Sequence, residues 1–256
     1  MEFYKNTAND FSRTRYKIWH GVKTFLNSIP TNSIILDAGC GNGKNMMETE
    51  HKFIAYDSCY ELIELAKSKV IENNKTNIIN FILGDVQKLP FESDSFDAVM
   101  SIAVIHHISN EIERFTAFKE MIRVCKPKGS ILITVWKAES NPVFDSGIVQ
   151  RFPLTKVEEI TSERSKDHSS VITSNTSERS KDHSSVLAEV LNDNIISEST
   201  DRLIKWKSPD GIKYRFYHFF SLEEINDICF RLKKLYSIDI IINDELNNYY
   251  IWIKKH

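Results

Sequence analysis

The sequence predicts an α/β fold: a seven-stranded, mostly parallel sheet with helices on both faces, finished by a C-terminal antiparallel hairpin. Short apolar strands alternate with segments of helical period between residues 33 and 136. Those strands are continuous apolar runs, the pattern of strands covered on both sides. At 256 residues the chain is long enough for one sizeable core.

The elements follow in order. Thr14 to Ser28 reads as a helix, with Tyr16, Trp19, Val22, Phe25 and Leu26 at helical spacing and Pro30 as a stop. Ser33–Leu36 and Phe53–Tyr56 read as the first two strands. Tyr60–Glu72 carries Leu62, Ile63, Ala66 and Val70 on one helical face. Ile78–Leu83 and Phe96–Ser101 read as strands, and Glu111–Val124 as a helix. Lys126-Pro127-Lys128-Gly129 predicts a turn before a fifth strand at Ile131–Trp136.

The alternation then breaks. Residues 140–200 are polar, and TSERSKDHSSV occurs twice, at 161–171 and 176–186. Two polar copies cannot stack into a solenoid, so this stretch is expected to be a disordered insertion. Structure is expected to resume near Lys205. Ser221-Leu222-Glu223-Glu224 fits a capping box opening a helix to about Lys234. Ser237–Ile242 and Tyr249–Lys254 complete the hairpin around a 243–248 loop.

Composition narrows the class. The chain is 41 % hydrophobic and 27 % charged with a net charge of −2, which does not advertise nucleic-acid binding. Locally, residues 1–30 and 201–220 each carry +3, which solvated surface alone could explain. Cys40, Cys59, Cys125 and Cys229 form no C-x-x-C pair, so they read as buried thiols and no zinc site is expected. The first residues lack an apolar signal core, and no run is long enough to cross a bilayer. A soluble, intracellular protein is expected.

DAGCGNG at 37–43 follows the first strand. Gly39, Gly41 and Gly43 would let backbone turn beneath a ligand, in G-x-G-x-G rather than dinucleotide spacing. Asp37, Asp57 and Asp85 stand at three successive strand ends. Each alone reads as a turn residue; together they mark the crevice where open α/β sheets bind ligands. Asp57 is placed to bind ribose hydroxyls. Asp85 could accept from an adenine amino group, with the Val86 N–H offered to the ring. The set suits S-adenosylmethionine, whose amine and sulfonium carboxylates tolerate.

ILDAGCGNGK, Asp57, GDVQKLPF, SFDAVMSIAVIHH and RVCKPKGSILI resemble the motif series of the class I, Rossmann-like methyltransferases, which implies S-adenosylmethionine as cofactor. By that resemblance Ser58 and Ala103 join Asp37, Gly39, Gly41, Asp57, Asp85 and Val86 at the cofactor site. FSRTRYKIW, GCGNGK, SIAVIHHIS and KYRFYHFF are similar to the eukaryotic tRNA wobble-uridine carboxymethyl methyltransferases. That implies esterification of 5-carboxymethyluridine in the anticodon loop, in the cytoplasm or nucleus. It also implies a small zinc-binding activator subunit that extends the sheet; any zinc would be the partner's.

For that reaction a carboxylate is already ionised at neutral pH, so positioning outweighs base catalysis. Arg15 is the first choice to receive the carboxylate, with Arg215 next. His107 is expected to orient the acceptor by a hydrogen bond. Tyr16, Lys17, Lys213, Tyr214 and Tyr217 are expected to contact the anticodon through stacking and phosphate pairing. Plainer roles stay open: Arg15 as an exposed helix charge, His107 as a core histidine, the aromatics as sheet packing. The alternative function is methylation of a small molecule or lipid precursor on the same fold, and a second is a non-catalytic subunit.

Overall fold

A computed structural model describes residues 7–15, 17–75, 77–138, 149–151, 200–208 and 211–256. The elements are α1 (Ala8–Thr14), α2 (His20–Ser28), β1 (Ile34–Ala38), β2 (Lys52–Asp57), α3 (Tyr60–Glu72), β3 (Ile78–Leu83) and β4 (Phe96–Ile102). There follow α4 (Glu111–Val124), β5 (Cys125–Trp136), β6 (Val149–Arg151), β7 (Asp201–Ser208), β8 (Gly211–His218), α5 (Leu222–Leu235), β9 (Ile238–Glu245) and β10 (Asn248–Lys255). Seven strands form one sheet in the order β3-β2-β1-β4-β5-β10-β9. β10 alone runs against the direction of the other six. The predicted fold is therefore present.

Period-two alternation divides this sheet between two cores. Ile35, Ala98, Met100, Leu132 and Tyr250 face one way, onto Val22, Phe25 and Leu26 of α2. Leu36, Val99, Ile131, Ile133 and Ile251 face the other, onto α4 and α5. Burying each of the larger aliphatic side chains contributes about 1.5–3 kcal/mol, so a slip by one residue would cost both cores at once.

Three sequence expectations need correction. The helix over 14–28 is broken: α1 ends at Thr14 and α2 begins at His20. The Arg15 carbonyl, which a continuous helix would offer to residue 19, instead accepts Asn42 Nδ2 at 3.0 Å. The 126–129 turn lies within β5 as a bulge. Pairing jumps from Cys125 to Ser130 while β4 advances only from Phe96 to Ala98, and Lys128 turns the chain at φ 63°. The hairpin loop is shorter than expected, since Asn248 already pairs with Glu245. Its two turn residues are Leu246, at φ 54°, and Asn247.

The sequence did not reveal the second sheet, β6-β7-β8, which is antiparallel. It joins the main sheet where Phe220 N–H donates to Trp136 O and Ala138 N–H donates to Phe220 O, both at 2.9 Å. The polar stretch predicted over 140–200 lies outside the described residues except for Val149–Arg151, which pairs with β7, and Thr200.

Ser221 caps α5 by accepting from Glu224 N–H at 3.1 Å. The reciprocal half of the box is replaced: the Glu224 carboxylate accepts from His218 Nε2 at 2.8 Å and pairs with Arg114 at 3.7 Å. The other His218 nitrogen meets Asp201 at 2.6 Å. This buried network ties the small sheet to α4 and α5.

Candidate functional site

β1, β2 and β3 fill the sheet in one direction and β4 and β5 in the other. Such a reversal leaves a crevice at the strands' carboxyl ends. A cavity of about 600 Å³ opens there. Its floor includes Gly39, Gly41, Asp57, Ser58, Asp85, Val86 and Ala103. Its roof includes Arg15, Lys17, His107, Arg215 and Tyr217.

The glycine loop turns with φ of 95° at Gly39, 53° at Gly41 and 76° at Gly43. A Cβ on Gly39 would lie 2.2 Å from Val104 Cγ2, so no other residue fits without movement. Asp57 clamps the loop: its Oδ2 accepts from Gly41 N–H at 2.8 Å and its Oδ1 from Cys59 N–H at 2.9 Å. Each oxygen keeps a lone pair for a ligand hydroxyl. Burial raises the Asp57 carboxyl pKa, and these N–H groups oppose the rise. Asp85 is exposed and accepts from Gln87 N–H at 3.0 Å. Ala103 ends β4 in the left-handed region at φ 59°. Thr134 Oγ1 holds it there, accepting the Ala103 N–H at 2.9 Å.

Asp37 does not line the cavity. Its carboxylate is fully buried beside the loop, and neither oxygen has a hydrogen-bond partner. Burial, then the neighbouring Asp57, pushes its pKa up to about 8. At neutral pH that carboxyl is therefore protonated and uncharged, and a positive charge bound nearby would favour its ionisation. The residues present thus fit a ligand with hydroxyls, an adenine-like ring and positive charge.

The roof comes from distant segments. Lys44, over the Trp19 ring at 4.8 Å, has its pKa lowered to about 8 by burial and then by Arg15. His107 Nδ1 lies 3.1 Å from the Phe216 carbonyl. Because a carbonyl only accepts, that nitrogen carries the proton and Nε2 presents a lone pair. Burial, then Arg215 and His106, hold the His107 pKa well below its ordinary value. Tyr217 stacks on Trp136 with centroids 4.6 Å apart and an interplanar angle of 18°, and Arg215 lies over its ring at 5.4 Å.

Lys213 and Tyr214 share β8 with Arg215 but do not line the cavity. Tyr16 lies outside the described residues. Lining residues that the sequence reading did not single out include Trp19, Asn42, Lys44, His106 and Trp136. Asn42 and Lys44 were visible in GCGNGK; Trp136 carries no signal beyond ending a strand.

Residues 36–133 match the family model described as a methyltransferase domain. The chain contains a methyltransferase domain. Over 176 residues it is 38 % identical to a tRNA (carboxymethyluridine(34)-5-O)-methyltransferase of Arabidopsis thaliana, covering 67 % of this chain and 41 % of that protein. It is 37 % identical over 139 residues to the Schizosaccharomyces pombe protein of the same name, covering 54 % and 57 %. It is 28 % identical over 253 residues to the Xenopus tropicalis tRNA (carboxymethyluridine(34)-5-O)-methyltransferase alkbh8, covering 91 % and 37 %. The chain thus spans 37 to 57 % of the length of these relatives. The resemblance read from the motifs is borne out.

A SAM-dependent methyltransferase of Methanosarcina mazei shares the methyltransferase domain's fold, with a TM-score of 0.60 at 17 % identity, covering 93 % of this chain and 98 % of that one. A Pyrococcus horikoshii protein aligns with a TM-score of 0.61 at 17 % identity, covering 100 % and 99 %. Among the described residues no helix is long and apolar enough to cross a membrane. No group of three His, Cys, Asp or Glu that could hold a metal occurs among them either. All four cysteines are free and buried, as expected.

Proposed function

We propose that this protein transfers a methyl group from S-adenosylmethionine to the carboxylate of 5-carboxymethyluridine at the tRNA wobble position. One observation carries the reading: an acid-lined cofactor floor faces a roof bearing Arg15 and Arg215 across a single cavity. Three relatives named for this reaction support it, as does the methyltransferase family match. S-adenosylmethionine supplies an electrophilic methyl group. Gly39, Gly41, Asp57, Ser58, Asp85, Val86 and Ala103 would hold it, and buried Asp37 would answer its positive charge.

The chain's own residues then have to hold a carboxylate still. Two guanidinium groups suit that task, because each offers a planar fork of donors. The acceptor has a reference pKa near 4 and needs no base. Neutral His107, with its Nδ1 proton committed to Phe216, offers Nε2 as an acceptor toward the substrate base or sugar. Lys17, Lys213, Tyr214, Tyr217 and Tyr16 would meet the anticodon loop. A zinc-binding activator would need an open sheet edge, and β3 is one, with Leu83 exposed beside it. A tRNA substrate would place the enzyme in the cytoplasm or nucleus.

Nucleoside mass spectrometry of tRNA from cells lacking this chain tests the reading. Loss of the methyl ester with build-up of the free carboxymethyl nucleoside is expected. Unchanged wobble nucleosides would overturn it in favour of a small-molecule acceptor.

A further inference from the structure

Asn42 lies between two glycines of the cofactor loop, yet its side chain serves the other wall. It is buried, with 2 % exposure. Nδ2 donates to the Arg15 carbonyl at 3.0 Å and to Ser12 Oγ at 3.0 Å, with the Ser12 carbonyl at 3.4 Å. Oδ1 accepts from Lys44 N–H at 3.3 Å. A carboxamide is the group that can donate twice and accept in the same place. Aspartate would set a carboxylate against two carbonyl oxygens, and alanine would leave both half-buried carbonyls without this donor.

The segment that Asn42 grips is the end of a short helix and the residue that follows it. α1 is seven residues long, below the length at which a helix is stable by itself. It packs through Ala8 against Cys59 and Leu62 near its start. Arg15 follows its last turn, with φ −123° and ψ 73°. The hydrogen bonds from Asn42 fall at this far end, one of them on Arg15 itself.

We propose that Asn42 is a positioning residue for Arg15: it latches residues 12–15 onto the glycine loop, so one loop both cradles the cofactor and sets the arginine that meets the substrate carboxylate. The inference rests on the function proposed above for its substrate, but the latch itself can be read without turnover.

The test combines three measurements on wild type, Asn42→Ala, Asn42→Asp, Ser12→Ala and Arg15→Ala. These are S-adenosylmethionine titration by calorimetry, steady-state kinetics on tRNA bearing 5-carboxymethyluridine, and amide hydrogen exchange of residues 8–19 without cofactor. For Asn42→Ala the KM for tRNA should rise at least tenfold. The rise in KM should exceed any change in cofactor Kd, and exchange at 12–15 should accelerate. Asn42→Asp should be worse and Ser12→Ala milder. Adding Asn42→Ala to Arg15→Ala should raise KM no further, because the residue being positioned is gone. An unchanged KM, or full additivity in the double variant, overturns the inference. If wild type binds cofactor but does not methylate this tRNA, the functional reading fails; exchange then decides the latch, faster exchange upholding it and unchanged exchange overturning it.

Discussion

The floor and the roof of the cavity are built in opposite ways. The floor is the carboxyl edge of one sheet, and its groups stand on loops that follow β1 to β4 and are short in sequence. The roof brings Arg15 and Arg215 together from opposite ends of the chain, through a linker between two helices and a three-stranded sheet. The floor bears carboxylates and the roof bears cations. A rigid floor can pre-form a cofactor site, whereas a roof of separate pieces depends on tethers. Asn42, the Phe220 bridges and the His218 network supply them. The lesson is that substitutions should sort by wall: floor changes should move cofactor affinity, and roof changes should move tRNA kinetics.

The largest effect is expected at Gly39→Ala. Positive φ and a Cβ 2.2 Å from Val104 act together, so cofactor affinity should fall by at least about a hundredfold in calorimetry. Binding within a few-fold of wild type would show that the loop is not the cofactor cradle. Next, Arg215→Ala should lower kcat/KM on carboxymethyl tRNA by about 10²–10³ while cofactor Kd changes only a few-fold. Equal losses in both would erase the distinction between walls.

His218→Ala sharpens the comparison differently. It removes the partner shared by buried Asp201 and half-buried Glu224, which should cost about 1–3 kcal/mol in denaturant unfolding. Asp37→Asn should trade affinity for stability. The Asp37 pKa is raised from 3.8 to about 8, so the folded state holds a proton that the unfolded state releases between those values. Stability therefore declines as pH rises through that window, by up to about 1.4 kcal/mol per pH unit. Asn should flatten the decline and raise the melting temperature at pH 7 while weakening cofactor binding. A pH dependence unchanged by the substitution would sink this assignment. The smallest effect is expected at Ala103→Gly, where relief of a left-handed alanine should gain about 0.5–1 kcal/mol. Little change in tRNA KM should accompany it.

The sequence by itself determined the seven-stranded sheet and the strand ends that floor the cavity. Strand periodicity is local, and the glycines and aspartates of the floor sit where strands end. Ile78–Leu83 was legible to the residue, and Asp57 and Asp85 could be placed from the runs before them. Contacts between remote segments were not legible. Arg15 reads as a helix residue until the Asn42 carboxamide takes its carbonyl. Glu224 reads as half of a capping box until His218 claims its carboxylate. Trp136 joins the site because Tyr217 stacks on it from another sheet. In the first two cases one polar group had two partners to choose from, one near in sequence and one near in space. The partner near in space took the group, and only the tertiary structure could decide it.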